Sequence, residues 1–362
     1  RMPILWESLA MPPYLYKVQE ELGEDWNKTT LYGAFENLLD EIKDDERFRP
    51  ELVVYIGGHI VSKKLKSYLR SLKGVEQIRI SQEADIEDTF MHLTKVMDLP
   101  NSDAMSWLDN FGWHNHWEDY RKLWMDALAK SYERKENFKP EFSSLATVKE
   151  FFSQLQKVEP QDFKAFTLGD KDAQDDGIYD RKFDTFLLGM MSSVFSGNSS
   201  AIRLMNLYAD RHVYCNRGVN GIEGSLSTAV GFSMCKNKSD KHVYCVLGDL
   251  SFFYDQNALW NRNLNGKLRI IVLNNGGGAI FGKFQGLKES QAREEMVMAK
   301  HHATAEGICS QNDVKYLAAH TMVEMEQGIS QLIHAESERP MLLEIFTDMD
   351  VDNEMLEAIQ KC

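Results

Sequence analysis

The sequence predicts an α/β protein built of two doubly wound parallel-sheet domains. Three observations carry that expectation. The chain has 362 residues, too many for one ordinary domain and enough for two. Short apolar runs end in glycines or polar turns, as buried parallel strands do. Stretches with apolar residues at helical spacing lie between those runs, and such alternation builds a parallel sheet covered by helices.

In order along the chain, Thr30 to Ile42 reads as a helix, and Leu52-Val53-Val54-Tyr55-Ile56 as a buried strand stopped by Gly57-Gly58. Ser62 to Leu72 places Leu65, Tyr68, Leu69 and Leu72 on one face of an amphipathic helix. Gln77 to Ile80 is a second strand, Phe111 to Phe138 a long aromatic and charged helix, and Ser144 to Leu155 one more helix. The composition then turns polar and acidic from Glu159 to Asp180, which reads as a linker or surface loop. The expected division is therefore 1–158 and 159–362. In the second part, Val213 to Cys215, His242 to Leu247, Arg269 to Leu273 and Met341 to Phe346 are strands. A small-residue helix carries Leu226, Ala229, Val230 and Met234 on one side. No internal repeat is present.

The composition, 43% hydrophobic and 27% charged, is that of a globular protein. A formal net charge of −14 argues against a nucleic-acid partner, whose phosphates need a cationic face, but a few local arginines can still hold an anionic substrate. No run approaches the roughly 20 apolar residues of a membrane span, and Arg1 to Trp6 is too short for a signal peptide. Arg1 precedes Met2, so the chain reads as a processed product or a fragment. Five cysteines with no Cys-x-x-Cys point to reduced thiols in the cytoplasm.

The chemistry concentrates where two strands of the second part end. One delivers Gly248-Asp249-Leu250-Ser251, the other Asn274-Asn275-Gly276-Gly277-Gly278. Open α/β sheets bind ligands at such strand ends. The Asp249 carboxylate and the Asn275 amide oxygen are hard ligands suited to Mg²⁺, which shares its shell with phosphates and water. The glycines let the backbone approach the ion, and the helix expected after Ser251 turns its amides toward a diphosphate. Each motif alone is ordinary turn chemistry. Their pairing, with one helix between, is what points to a site.

Gly-Asp-x-Ser followed at that distance by Asn-Asn resembles the metal-and-diphosphate motif of thiamine-diphosphate enzymes. Gly197-Asn198-Ser199-Ser200-Ala201-Ile202-Arg203, Asn216 to Gly224 with Leu226-Ser227-Thr228-Ala229, and Asn275 to Phe281 resemble one branch of that family. This branch is the 2-succinyl-5-enolpyruvyl-6-hydroxy-3-cyclohexene-1-carboxylate synthases of menaquinone biosynthesis. The resemblance is strong from Gly197 to Phe284 and holds only in outline before that. It implies a middle domain followed by a diphosphate-binding domain. It also implies that Asp249, Asn275 and the Gly277 carbonyl hold Mg²⁺ or Mn²⁺, and that Gly248, Leu250, Ser251 and Gly278 line the thiamine diphosphate. Ile222 would force the bent cofactor shape, and Ile280, Phe281 and Phe284 would form an apolar wall. Ser199, Arg203 and Arg217 would meet substrate carboxylates, with Lys64 standing where the family has an arginine. The reaction implied is decarboxylation of 2-oxoglutarate and conjugate, Stetter-type addition of the succinyl unit to isochorismate. The assembly implied is a homodimer or homotetramer.

The family's pyrimidine-binding glutamate sits in an N-terminal domain with no counterpart in this sequence, so the resemblance implies a two-domain fragment, inactive alone. Two other readings stand beside it: an acetolactate-synthase-like or other 2-oxo acid decarboxylase, which would not need the Arg203 and Arg217 pair, and a non-catalytic cofactor-binding module. The remaining features read as structural. Asp170 to Asp180 fits a calcium loop in neither register, because one puts Asp175 where glycine is needed and the other Phe183 where glutamate is needed. His114 and His116 sit two apart among tryptophans, His301 and His302 receive no role, and Gly57-Gly58 lacks dinucleotide-loop spacing.

Overall fold

Two parallel sheets organise the chain, each inside its own compact unit; among the described residues the first unit takes those up to Phe138 together with 359–361, and the second Lys139–Ala358. The computed structural model describes residues 3, 5, 7–10, 34–82, 86–100, 103–104, 107–108, 118–158, 192–235, 241–283 and 290–361. The linker expected over 159–180, the histidine pair at 114 and 116, and Phe284 lie outside them.

In the first unit, β1 (Leu52–Ile56), β2 (Glu76–Ser81) and β3 (Lys95–Asp98) pair in parallel in that order. The helices α1 (Ala34–Ile42), α2 (Lys63–Ser71) and α3 (Glu118–Asn137) accompany them. Val53 and Tyr55 of β1 pack with Phe35, Leu38, Leu65, Leu69 and Trp124 on one face. Leu52, Val54 and Ile56 alternate to the other face, with Ile78 and Ile80. The central β2 is almost wholly buried, whereas β1, read from sequence as buried, is half-exposed along its length. An edge strand has a neighbouring strand on one flank only, so its run stays partly open even where both faces are packed. Helix α2 starts where Ser62 accepts a hydrogen bond from the Leu65 amide at 3.0 Å, an ordinary N-cap.

The second unit holds a six-stranded parallel sheet in the order β5-β4-β6-β7-β9-β8. Its strands are β4 (Ser193–Ser196), β5 (Val213–Cys215), β6 (Val243–Gly248), β7 (Leu268–Asn274), β8 (Lys315–Ala319) and β9 (Met341–Phe346). The helices are α4 (Ser144–Val158), α5 (Ser200–Tyr208), α6 (Ser225–Cys235), α7 (Asp249–Tyr254), α8 (Glu306–Gln311), α9 (Met322–His334) and α10 (Met349–Gln360). Helix α4, which the composition assigns to the first domain, packs here against α5 and α9. Alternation along β6 explains the layering. Val243, Cys245 and Leu247 join Leu226, Ala229 and Val230 of α6 in one cluster, while Tyr244 turns the other way to meet Phe151 of α4, ring centroids 5.2 Å apart. From β4 the chain moves outward to β5, then returns to place β6 on the other flank of β4. The carboxyl ends of β4 and β6 therefore flank a topological switch point, the crevice where sheets of this kind bind ligands. Among the described residues no helix is long and apolar enough to cross a membrane.

The Glu344 carboxylate lies fully buried in the interior of this sheet. Glu344 of β9 accepts hydrogen bonds from Asn274 Nδ2 (2.7 Å), the Ala305 amide (2.9 Å) and the Tyr316 hydroxyl (2.7 Å). Burial, and then this hydrogen bond, push the Tyr316 hydroxyl pKa upward. Replacing Glu344 by Gln turns an amide donor toward donors. The expected loss is about 2–3 kcal/mol of unfolding free energy, read from urea denaturation. A loss below about 0.5 kcal/mol would show that the carboxylate is dispensable.

Candidate active site

The site begins with the ends of two adjacent strands. Residues 243–248 of β6 lie in parallel register with 268–273 of β7, so the residues after each strand emerge side by side. Gly248 caps α7, which begins at Asp249 and not after Ser251 as the sequence suggests, so Leu250 and Ser251 sit in its first turn. Asp249 is 2% exposed. Its Oδ1 accepts the Leu250 amide at 2.6 Å, and its Oδ2 accepts the Gly277 amide at 2.9 Å. That second bond ties the β6 end to the glycine loop after β7. Burial raises the Asp249 pKa above the usual carboxylate range, opposed by the Leu250 amide and by the neighbouring His301.

The glycine loop has the shape its composition requires. Gly276 and Gly277 take φ of +79° and +148°, conformations that side chains resist. A Cβ on Gly277 would stand 2.6 Å from the Met298 carbonyl oxygen. The segment 298–301 lies along this loop: Gly278 donates to Met298 O at 2.7 Å, and His301 N donates to Gly276 O at 3.0 Å. His301 has no role legible in the sequence, yet its Nε2 lies 3.2 Å from Asp249 Oδ2. Its Nδ1 accepts the Ala303 amide at 3.1 Å, so the neutral ring carries its proton on Nε2, facing the carboxylate. Phe253 braces the ring edge-on at 5.3 Å.

The two consecutive asparagines have different surroundings. Asn274 is 5% exposed and fully used: Nδ2 donates to Glu344 and to Ala303 O, and Oδ1 accepts the Gly276 amide at 3.1 Å. Asn275 commits its Nδ2 to Asp352 Oδ2 at 2.7 Å. The Gly277 carbonyl accepts the Ala279 amide at 3.1 Å, which leaves it one lone pair. Ile280 and Phe281 come next, in a single turn over Ala279–Lys283. Ile280 is half-buried, and the Phe281 ring lies against Gly278.

The β4 end supplies the third group. Gly197 continues the ladder by donating to Val246 O at 2.8 Å, and a Cβ there would stand 2.9 Å from Leu247 Cβ and 3.6 Å from Ser251 Oγ. Asn198, 3% exposed, staples the loop after β5: its Nδ2 donates to Asn216 O and Gly221 O, and its Oδ1 accepts Arg217 Nη1 at 2.8 Å. Ser199 has φ +67°, a strained value for a side-chain-bearing residue, and its carbonyl accepts Arg203 Nη1 at 2.6 Å. Ser199, Arg203 and Arg217 are thereby gathered at one strand end. Ile222 is half-buried on the loop that Asn198 holds. Lys64 lies in the first unit, where its ammonium pairs with Asp40 at 2.5 Å.

Among the described residues no three His, Cys, Asp or Glu side chains converge as a metal cage. A carboxylate, an amide oxygen and a backbone carbonyl form a different donor set, all hard oxygens, which fits a magnesium ion that completes its shell with phosphate and water. A buried carboxylate faced by two amides and an imidazole, with no lysine or arginine among the contacts above, is also a group that a divalent cation would stabilise.

Residues 196–345, from the end of β4 to β9, match the model of the thiamine pyrophosphate enzyme C-terminal TPP binding domain. The chain is 32% identical over 371 aligned residues to the 2-succinyl-5-enolpyruvyl-6-hydroxy-3-cyclohexene-1-carboxylate synthase of Phocaeicola vulgatus, covering 97% of this chain and 58% of that protein. It is 32% identical over 355 residues to the synthase of Bacteroides thetaiotaomicron, covering 95% of the chain and 56% of the relative. It is 30% identical over 311 residues to that of Desulfotalea psychrophila, covering 83% and 48%. The chain thus spans about half the length of the curated relatives it matches. The resemblance expected from the motifs is found: the chain is similar along nearly its whole length to these synthases, and its second sheet coincides with a thiamine pyrophosphate-binding domain.

Proposed function

We propose that the crevice at the β4/β6 switch point holds thiamine diphosphate through Mg²⁺ or Mn²⁺. In this reading the enzyme decarboxylates 2-oxoglutarate and adds the succinyl unit to isochorismate in menaquinone biosynthesis. The observation that carries it is the hydrogen bond joining Asp249 to the glycine loop, inside a domain matched by thiamine pyrophosphate enzymes.

Asp249, the Asn275 Oδ1 and the Gly277 carbonyl would hold the metal. Ser251, with the backbone of Gly248, Leu250 and Gly278, would receive the diphosphate. Ile222 would support the bent cofactor, and Ile280 and Phe281 would exclude water beside it. Bound there, the cofactor supplies the electron sink that decarboxylation of a 2-oxo acid needs. The protein's own part is charge and geometry. Arg203 and Arg217 would pair with substrate carboxylates, whose planar oxygens match a guanidinium fork, and Ser199 adds a hydroxyl. Arg217 is poised for this, because Asn198 fixes one end of its guanidinium while its buried Nε has no partner within the described residues. Lys64 would have to leave Asp40 to meet a carboxylate. The large exposed apolar side chains of Val219, Tyr254 and Trp260 support a homodimer or homotetramer in which a neighbouring subunit covers them, and five cysteines with no Cys-x-x-Cys support a cytoplasmic setting.

Thiamine diphosphate with Mg²⁺, at about 100 times its dissociation constant, should stabilise the chain by about 2.7 kcal/mol. That corresponds to a rise of roughly 5–10 °C in melting temperature. Neither ligand alone should do as much, and Asp249→Asn should abolish the shift. An unchanged midpoint with both ligands would overturn the cofactor reading.

Turnover, measured with the family's N-terminal pyrimidine-binding domain supplied, tests the substrates. Arg217→Lys should raise KM for the carboxylate substrate about tenfold by replacing a fork with a point charge, while CO₂ release from 2-oxoglutarate persists. Acetolactate formed from pyruvate, without use of 2-oxoglutarate, would replace this assignment with the decarboxylase-like one.

A further inference from the structure

Asp352 contributes no atom to the proposed cofactor site, yet it makes an unusual set of contacts. It sits on α10 and receives four donors. Its Oδ1 accepts the Ser144 amide at 2.7 Å. Its Oδ2 accepts Ser144 Oγ at 2.7 Å, Asn275 Nδ2 at 2.7 Å and Thr347 Oγ1 at 3.1 Å. Ser144 opens α4, Thr347 comes directly after β9, and Thr347 N donates to Asn274 O at 2.9 Å. The carboxylate therefore joins the start of α4, the end of β9 and the loop after β7. Burial raises the Asp352 pKa, opposed by its hydrogen bonds to Ser144 and Asn275.

An ionised carboxylate only accepts hydrogen bonds. The end of the Asn275 amide that faces it must be the NH₂, so the carbonyl oxygen faces the other way. Metal coordination needs that oxygen and cannot use the NH₂. An amide free to rotate would present the wrong end part of the time.

We propose that Asp352 is a positioning residue that fixes the Asn275 amide so that Oδ1, and not Nδ2, faces the metal. The proposal rests on the cofactor reading above. Asp352 plays toward Asn275 the part that outer carboxylates play toward ligating histidines, where their loss costs about 10–100-fold in metal affinity.

The backbone of Ser144 makes the test sharp. In Asp352→Asn the Ser144 amide, which can only donate, keeps the new Oδ1 opposite itself, so the new Nδ2 faces Asn275. The Asn275 amide must then flip, placing its NH₂ toward the metal. In the double variant Asp352→Asn/Asn275→Asp, the new carboxylate accepts from the new amide and keeps an oxygen on the metal, with one charge moved and none lost. Mn²⁺ is the probe, titrated by electron paramagnetic resonance with thiamine diphosphate saturating, and thermal melting without metal verifies folding. We expect D352N to raise the Mn²⁺ dissociation constant about tenfold or more and the double variant to restore most of that affinity.

Equal affinity in wild type and D352N overturns the proposal, and so does a double variant no tighter than D352N. Failure of the wild type to bind Mn²⁺ with thiamine diphosphate overturns the cofactor reading itself. If D352N does not fold, the wild type still decides. The Asn275 side-chain amide protons, assigned by their loss in Asn275→Ser, should exchange slowly because one is held by the carboxylate. Exchange at the rate of a free surface asparagine overturns the proposal.

Discussion

The hydrogen bond from the Gly277 amide to Asp249 Oδ2 is the constraint on which the site depends. It closes the gap between two parallel strands whose register already brings their ends level. It can form only because residues 276 and 277 adopt backbone conformations open to glycine. The same loop is held from outside by the 298–301 segment, which delivers His301 to the other side of the carboxylate. Asp249 is thus fixed by backbone on one side and by a ring on the other. That fixation is what a ligand to a metal–diphosphate pair requires, because disorder in the carboxylate would otherwise have to be removed on binding.

The strand ends are legible in the sequence because parallel strands buried on both faces are continuous apolar runs. His242 to Leu247 and Arg269 to Leu273 announce β6 and β7 in this way, and the polar residues just beyond each run are read directly as site chemistry. β4 is not legible. Its Ser-Val-Phe-Ser stretch is four residues long and has a serine at each end, too short for any period to register, although it lies at the centre of the switch point. The Gly197 to Arg203 motif is therefore readable only as a resemblance, without the strand that explains why it lies beside Asp249.

Asn274 and Asn275 show a second limit. In sequence they are two identical neighbours. In the fold, alternation along β7 turns the first inward, where Glu344 and two backbone groups use all its polar atoms, and leaves the second at the strand's end. Period two separates them, but only once the strand's phase is known. Asp352 is less accessible still. It is one acid in the run Asp348, Asp350, Asp352, Glu354, and nothing in that run sets it apart from its neighbours. Its partners lie 208 and 77 residues away, and no local pattern encodes contacts at that separation. His301 shows no role in sequence for the same reason.

The two carboxylates Asp249 and Asp352 illustrate how one chemical group is given two tasks by its neighbours. Burial pushes both toward protonation, and both are held by donors. Asp352 spends one oxygen on three donors and the other on a fourth, so little of it remains to meet a ligand. Asp249 accepts one backbone amide on each oxygen, with His301 beside Oδ2, which leaves Oδ1 the less committed oxygen. A chain with a net charge of −14 can therefore offer an anionic cofactor a favourable place. Charges beyond about 8 Å are largely screened at physiological ionic strength, so net charge sets solubility and long-range approach. In the proposed reading, binding would rest on the few groups at the crevice: the Asp249 carboxylate that would recruit a cation, and the Arg217 guanidinium held by Asn198.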